Sequence, residues 1–201
     1  MNAPVSIAKS EVILGGQRSG KSRRAELLAR QWLDESSDNK ALLIATAQPW
    51  DDEMRQRIAR HQVDRAERVP GLQTLEEPLA LGAAISRLSS PDTLVVVDCL
   101  TLWLTNLLMP AGSGNGHDAD SGLHNADLAD APIQELLQAI EAAPGPVILV
   151  GNEIGMGVIP MGAQVRAFVD TLGRLNQDVA RVCSRVTLMA AGLPLSLKDS
   201  K

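Results

Sequence analysis

The residues with the clearest chemical meaning lie near the start of the chain. Residues 15–22 read GGQRSGKS and satisfy the GxxxxGK(S/T) pattern of a phosphate-binding loop in full. Its glycines let the backbone curl so that N–H groups point at phosphate oxygens, and the following helix strengthens that field. Lys21 is expected to reach the outer phosphates, and the Ser22 hydroxyl to bind Mg²⁺. The predicted nucleoside triphosphate site comprises Gly15, Gly16, Gln17, Arg18, Ser19, Gly20, Lys21 and Ser22.

A second candidate ligand is Asp98, which ends the apolar run TLVVVD. An acid at the carboxyl end of a buried strand near a phosphate loop can hold Mg²⁺ directly or through water. Because CLTLWL follows with helical character, Asp98 can also cap a helix, and the two roles are compatible. We therefore predict that Asp98 binds the nucleotide and shares the metal with Ser22.

Short apolar runs alternate with longer amphipathic segments along the chain. The runs are apolar on both faces, as in strands that helices cover on both sides. They are EVIL at 11–14, ALLIATA at 41–47, TLVVVD at 93–98, PVILVG at 146–151 and RVTLMAAG at 185–192. Helical patterns occupy 21–34, 51–65 and 162–184. This alternation predicts an α/β fold of the P-loop NTPase type, a single domain over 1–201 with a mostly parallel sheet and helices on both faces.

Composition narrows the class of function. The 201 residues carry 19 basic and 24 acidic side chains, a net charge of −5, and only 2% are aromatic. A nucleic-acid partner is therefore not expected, because such proteins usually need a basic surface or aromatic stacking platforms. No run reaches the roughly 18 apolar residues of a membrane span. The two cysteines lack CxxC partners and the N-terminus lacks a signal-peptide pattern, which together predict a cytoplasmic protein.

The segment 110–130 breaks the pattern of strands and helices. It reads PAGSGNGHDADSGLHNADLAD, rich in Gly, Asp, Asn and Ser, with almost nothing to bury. We predict a mobile surface loop there, and its role, subunit contact or plain disorder, is open. His117 and His124 stand among its acids, but the clustered ligands of a metal site are missing, so both are interpreted as loop residues.

Five segments, in this order, resemble one family. They are GGQRSGKS, IATAQPWDDEMRQRIARH, VVVDCLTLWLTNLL, NEIGMGVIP and FVDTLGRLNQ. The family is that of the bifunctional adenosylcobinamide kinases and adenosylcobinamide-phosphate guanylyltransferases of cobalamin synthesis. The resemblance covers about 12–198, apart from 110–130. It implies phosphorylation of adenosylcobinamide by ATP or GTP, then transfer of GMP from GTP to adenosylcobinamide phosphate with release of pyrophosphate. It also implies a homo-oligomer, a trimer.

The resemblance further implies a GMP-histidine intermediate, and the histidine of the matching RIARH segment is His61. Spacing alone favours a packed histidine instead, since His61 shares a helix face with Met54, Ile58 and Arg65. The chemistry suits the implied role, because neutral imidazole is available near pH 7. It can attack the α-phosphorus of GTP and split the transfer into two displacements. We therefore predict His61 and Lys21 as catalytic residues.

The resemblance also implies nucleotide contacts beyond the phosphate loop. These positions are Ala45, Thr46, Ala47, Gln62, Val63, Asp64, Arg65 and Glu76. Arg65 can neutralise charge on the transferring phosphate. The chain departs from the family pattern here, because RAERVPGL carries extra residues and no Trp before the acid. The register therefore leaves Arg65 or Arg68, and Glu76 or Glu77, as alternatives.

Two more choices are open from the sequence. Asp64 or Glu53 can accept a hydrogen bond from the second ring nitrogen of the histidine. Asn152 and Glu153 follow the PVILV strand, at the carboxyl edge where α/β sites form. They can bind the corrinoid, or assist the kinase step as acceptor and base.

Two other functions fit parts of the sequence. A P-loop kinase for another small hydroxyl substrate would carry a merely packed His61, and His61→Ala would leave its nucleotide chemistry intact. A nucleotide-switched regulatory protein of the common GTPase type needs a guanine-reading NKxD segment after a strand. The nearest text, GNEIG at 151–155, does not match.

Overall fold

Strands and helices alternate along the chain in the computed structural model, which describes residues 6–48, 52–109, 126–157 and 159–200. In chain order the elements are β1 (Ser10–Gly15), α1 (Lys21–Glu35), β2 (Lys40–Ala45), α2 (Asp52–Arg68), β3 (Leu72–Glu76), α3 (Leu81–Leu88), β4 (Thr93–Val97), α4 (Leu100–Leu108), α5 (Ala126–Ala142), β5 (Val147–Val150), α6 (Ala163–Val182), β6 (Arg185–Ala190) and β7 (Leu193–Asp199). Among these elements, no helix is long and apolar enough to cross a membrane.

The strands form one seven-stranded sheet in the order β3–β2–β4–β5–β1–β6–β7. All neighbours pair in parallel except β6 and β7, which are antiparallel. Both faces are covered, because Val12 of β1 belongs to one buried apolar cluster and its neighbour Ile13 to another. The predicted α/β fold with a mostly parallel sheet is confirmed.

Two strands escape the sequence analysis, and both lie at the ends of the sheet. The five apolar runs correspond to β1, β2, β4, β5 and β6 within two residues. Residues of β3 and β7 are mostly exposed or half-buried, so neither strand has a continuous apolar run. A strand at the edge of a sheet pairs on one side only and can leave most of its residues exposed. It therefore lacks the continuous apolar run by which central strands are recognised in a sequence.

The predicted loop at 110–130 is wrong in its last residues. Residues 110–125, with His117 and His124, lie outside the described part of the structure, but 126–130 already belong to α5. Ala129 is buried and begins an apolar repeat with Ile133, Leu136 and Ile140. The burial of Ala129 at this helical spacing accounts for a helix over 126–130, where the composition of 110–130 predicts a loop.

The order of the strands decides which segments meet at the functional edge. The strand β5 lies between β1 and β4. Because these three strands are parallel, the segments that follow them emerge side by side at their carboxyl ends. The phosphate loop after β1, residues 151–153 after β5 and Asp98 after β4 are therefore neighbours.

Replacing either of two helical glycines with alanine is expected to change the free energy of unfolding, in opposite directions at the two positions. A Cβ on Gly82 of α3 would lie 2.8 Å from the carbonyl carbon of Glu135 in α5, whereas one on Gly173 of α6 meets nothing within 4 Å. Gly82→Ala should therefore lower the free energy of unfolding by about 1–3 kcal/mol through overpacking. Gly173→Ala should raise it by about 0.5–1 kcal/mol. Urea unfolding checks both, and equal effects would contradict the close packing of α3 on α5.

Candidate active site

The phosphate loop joins β1 to the first turn of α1 and contacts residues at the turn between β6 and β7. A Cβ on Gly15 would lie 2.5 Å from the carbonyl oxygen of Met189 in β6, so only glycine fits there. Gly20 has φ +101°, a conformation that also favours glycine. The N–H of Gly192 donates to the Ser19 carbonyl at 3.0 Å. The β6–β7 turn therefore packs against the phosphate loop and constrains its backbone.

Lys21 holds its ammonium across this loop. Its Nζ donates to the Gly16 carbonyl at 2.6 Å, and the residue is only 8% exposed. Burial lowers the pKa of the Lys21 ammonium below its ordinary value. The cation is thus held where an anionic phosphate would compensate its desolvation.

Asp98 lies directly after β4 and faces a buried arginine. Its Oδ2 accepts a hydrogen bond from Nη2 of Arg65 at 3.1 Å. Ser22, the second predicted metal ligand, lines the same small pocket as these two residues. A hydroxyl and a carboxylate are ligands that suit Mg²⁺, so the residues present fit this ion. In the described ranges no three His, Cys, Asp or Glu side chains cluster as a metal site.

The helix α2 contains both His61 and Arg65, about one turn apart. The side chain of His61 lies outside the described part of the structure, as does that of Glu53. Arg68, at the last residue of α2, donates to Glu26 of α1 at 3.2 Å. Of the two alternative arginines, Arg65 therefore lies at the pocket that Ser22 and Asp98 line, whereas Arg68 bonds α2 to α1.

The remaining predicted residues of α2 lie on its outer side. Gln62 and Val63 are exposed. Asp64 is half-buried, and its Oδ2 accepts from Nη2 of Arg68 at 3.4 Å. These three residues are therefore not brought to the pocket that Ser22 and Asp98 line.

The ends of β2 and β3 are tied together by a residue that sequence reasoning missed. Nδ2 of the buried Asn106 donates to the carbonyls of Thr46 at 2.8 Å and Pro78 at 3.1 Å. Thr46 is itself fully buried, and its hydroxyl donates to the Cys99 carbonyl at 2.7 Å. The Thr46 side chain therefore bonds the end of β2 to the residue before α4. Ala45 and Ala47, on either side of Thr46, are half-buried. The signal for Asn106 is an amide within the mostly apolar segment LTLWLTNLL.

The alternatives Glu76 and Glu77 differ in what their side chains do. Oε1 of Glu77 accepts from the backbone N–H groups of Leu79 at 3.1 Å and Ala80 at 2.8 Å, at the start of α3. Glu76 ends β3 beside Ala45 and is exposed. Of the two acids, Glu76 is therefore the one with an exposed side chain that makes no such cap, and its contact with a nucleotide stays a prediction.

The segment after β5 is bonded to the phosphate loop on one side and to α6 on the other. The N–H of Glu153 donates to the Gly15 carbonyl at 3.1 Å, and that of Asn152 to the Thr101 hydroxyl at 3.0 Å. Nδ2 of Asn176 in α6 donates to the Asn152 carbonyl at 3.1 Å and to Oε2 of Glu153 at 3.3 Å. Sequence reasoning missed Asn176, whose signal is an amide on the buried face of α6.

The comparison with protein families decides the assignment. A family model described as cobinamide kinase / cobinamide phosphate guanyltransferase matches residues 11–197. The chain belongs to this family. The predicted family is confirmed, and with it the prediction that the chain is an enzyme.

Two relatives of the cobinamide kinase / guanyltransferase family span nearly the whole chain. The bifunctional adenosylcobalamin biosynthesis protein CobP of Pseudomonas aeruginosa is 44% identical over 188 residues, 94% of this chain and 96% of the relative. The bifunctional adenosylcobalamin biosynthesis protein CobU of Escherichia coli is 36% identical over 187 residues, 93% of this chain and 98% of the relative. The solved structure of the flagellar accessory protein FlaH from Methanocaldococcus jannaschii is similar in fold alone, with a TM-score of 0.51 and 10% identity over 98% of this chain and 80% of that one.

Proposed function

We propose that this enzyme phosphorylates adenosylcobinamide with ATP or GTP and then transfers GMP from GTP to the adenosylcobinamide phosphate. Its family supplies the class of reaction. The observation that carries the proposal is that Ser22 of the phosphate loop, Asp98 and Arg65 of the His61 helix line one pocket, in which Arg65 bonds to Asp98. Both reactions use this one nucleotide site.

In the kinase step the acceptor hydroxyl attacks the γ-phosphorus. The bond from oxygen to the γ-phosphorus forms while the bond to the bridging oxygen of the β-phosphate breaks, and a nucleoside diphosphate leaves. Lys21 is held across the loop to bind the oxygens on which charge develops. Ser22 and Asp98 would hold Mg²⁺, which supplies further charge compensation when bound.

In the guanylyl step a ring nitrogen of His61 attacks the α-phosphorus of GTP, and pyrophosphate leaves. The phosphate of the acceptor then attacks the same phosphorus, which breaks the P–N bond and forms adenosylcobinamide-GDP. Arg65 lies one turn after His61 and is already at the nucleotide pocket, so it can bind the transferring phosphoryl oxygens. Exposed Glu76 remains a proposed contact to the nucleotide.

Assembly and location belong to the same proposal. We expect a homo-oligomer, a trimer by resemblance to the family. The edge strand β7 supports this, because Leu193, Leu195 and Leu197 are exposed on it and a second copy can cover them. We also expect a cytoplasmic enzyme, which the unpaired Cys99 and Cys183 support.

The test uses two preparations of GTP, one labelled at the α-phosphate and one at the γ-phosphate, each with Mg²⁺ and the purified enzyme. Label from the α-phosphate should become protein-bound without acceptor, survive alkali, be lost in acid, and be discharged by adenosylcobinamide phosphate. Label from the γ-phosphate should pass to adenosylcobinamide. An enzyme that binds GTP but takes up no α-label would overturn the covalent route, and one that passes on no γ-label would overturn the kinase.

A further inference from the structure

One carboxylate stands between the phosphate loop and Asp98 without a part in the reactions above. The strand β5 separates β1 from β4, so residues 151–153 emerge between the loop and Asp98. Glu153 is bonded through its backbone N–H to Gly15, the first residue of the loop. Its side chain therefore belongs to the edge of the sheet where the terminal phosphate must lie.

The Glu153 carboxylate is fixed through both oxygens. Oε1 accepts from the N–H of Gly155 at 3.2 Å, and Oε2 accepts from Nδ2 of Asn176 at 3.3 Å. Asn176 is 4% exposed, and its Oδ1 has no hydrogen-bond partner among the described residues. A buried amide with an unmet acceptor destabilises a helix interface that an apolar side chain could fill. Such a residue is better explained by what it holds, which is the Glu153 carboxylate and the Asn152 carbonyl.

A pocket opens next to this carboxylate. It begins at Gly155, where a Cβ would lie 3.3 Å from Oε1 of Glu153, and runs between the following loop and α6. Its volume is about 470 Å³, and it combines apolar Ile159 and Val169 with charged Asp170 and Arg174. An apolar wall with a few charged and polar groups suits one part of a large, partly apolar ligand that carries amide and hydroxyl arms, and the rest of such a ligand must lie outside a pocket of this size.

We propose that this pocket binds the corrinoid acceptor and that Glu153, positioned by Asn176, is the general base of the kinase step. The inference rests on the kinase activity proposed above. The Glu153 carboxylate accepts the proton of the acceptor hydroxyl while its oxygen bonds to the γ-phosphorus and the bond to the β-phosphate oxygen breaks. The nucleoside diphosphate leaves, and the protonated Glu153 then returns its proton to solvent.

The base is tested with Glu153→Gln, and Glu141→Gln is the matched control because Glu141 is exposed on α5. Glu153→Gln should lower kcat for adenosylcobinamide phosphorylation by about 10²–10⁴-fold, while the enzyme still takes up label from α-labelled GTP. Unchanged kcat, or an equal loss of labelling by α-labelled GTP, would overturn the role as base. Failure of the wild-type enzyme to phosphorylate adenosylcobinamide would instead overturn the proposed function itself.

The positioning role of Asn176 is tested with Asn176→Leu, which keeps a buried side chain of similar size. Loss of the amide donor should release Oε2 of Glu153, so kcat for adenosylcobinamide phosphorylation should decline while the KM for GTP stays that of the wild type. In the Glu153→Gln background, Asn176→Leu should lower kcat no further, because the base that Asn176 positions is already absent. A further decline of the same size in the double variant would reveal a merely structural role and overturn this assignment.

The pocket is tested with Gly173→Trp, whose indole would extend into it, against Gly173→Ala. The KM for adenosylcobinamide should rise roughly tenfold or more in the tryptophan variant, with the KM for GTP close to that of the alanine variant. An unchanged KM for adenosylcobinamide, or equal rises for both substrates, would exclude the pocket as the acceptor site. Circular dichroism and urea unfolding of both variants confirm that each is folded.

Discussion

Replacing His61 with alanine is expected to abolish labelling of the protein by α-labelled GTP while phosphorylation of adenosylcobinamide continues. The imidazole is the nucleophile that bonds to the α-phosphorus. Removing a nucleophile lowers the rate of the step that it performs by about 10³-fold or more. The kinase step needs no covalent intermediate on the protein. The measurement is protein-bound α-label after denaturation, with γ-transfer to adenosylcobinamide followed in parallel.

The chain supplies its own controls for this experiment, because it has only three histidines. His117→Ala and His124→Ala should label like the wild type, since both lie in the polar segment 110–130. Label that persists in His61→Ala would show that another residue is the nucleophile. Loss of both reactions in His61→Ala would show that the residue supports the nucleotide site as a whole.

Replacing Lys21 with alanine is expected to slow both reactions, by about 10²–10³-fold each. The proposed mechanism uses one phosphate loop for both reactions. The Lys21 ammonium, which is 8% exposed, is bonded across that loop to the Gly16 carbonyl. Since the variant removes charge compensation from either transition state, protein labelling from α-labelled GTP and γ-transfer to adenosylcobinamide should decline together. Rapid-quench assays of the two labels measure the two rates in one preparation.

The matched control for Lys21 is Lys9→Ala, since Lys9 is exposed just before β1. It removes the same charge and should leave both rates close to those of the wild type. If Lys21→Ala slowed γ-transfer but left protein labelling intact, the two reactions would require separate nucleotide sites. That result would contradict the single site that both proposed steps share.

The parts of the fold that the sequence predicts are those whose signal is local. The phosphate loop is a contiguous motif, and central strands such as β5 are apolar on every residue. The edge strand β7 is not predictable in this way, because exposed Leu193 and Leu195 alternate with polar or exposed neighbours and only pairing with β6 orders them. Likewise the helical start at Ala126 depends on burial of Ala129, which a polar stretch conceals.

The parts of the site that escape prediction depend on contacts between distant residues. Arg65 and Arg68 have the same chemistry, and only the packing of α2 brings the first to Asp98 and the second to Glu26. Asn176 is one of many polar residues in its helix until the fold places its amide on Glu153. The motif therefore identifies the phosphate site, whereas the groups that orient it emerge from tertiary structure.

The position of β1 inside the sheet, with a neighbour on each side, has a consequence for biosynthesis of the enzyme. Its two partners are β5 and β6, more than a hundred residues later in the chain. Pairings of such high contact order form late, and β1 must remain unpaired during most of translation. The loop at 15–22 also contacts Met189 and Gly192, so a nascent chain cannot form the complete phosphate loop until Gly192 has left the ribosome. Binding of a nucleotide can therefore stabilise only chains that extend past Gly192.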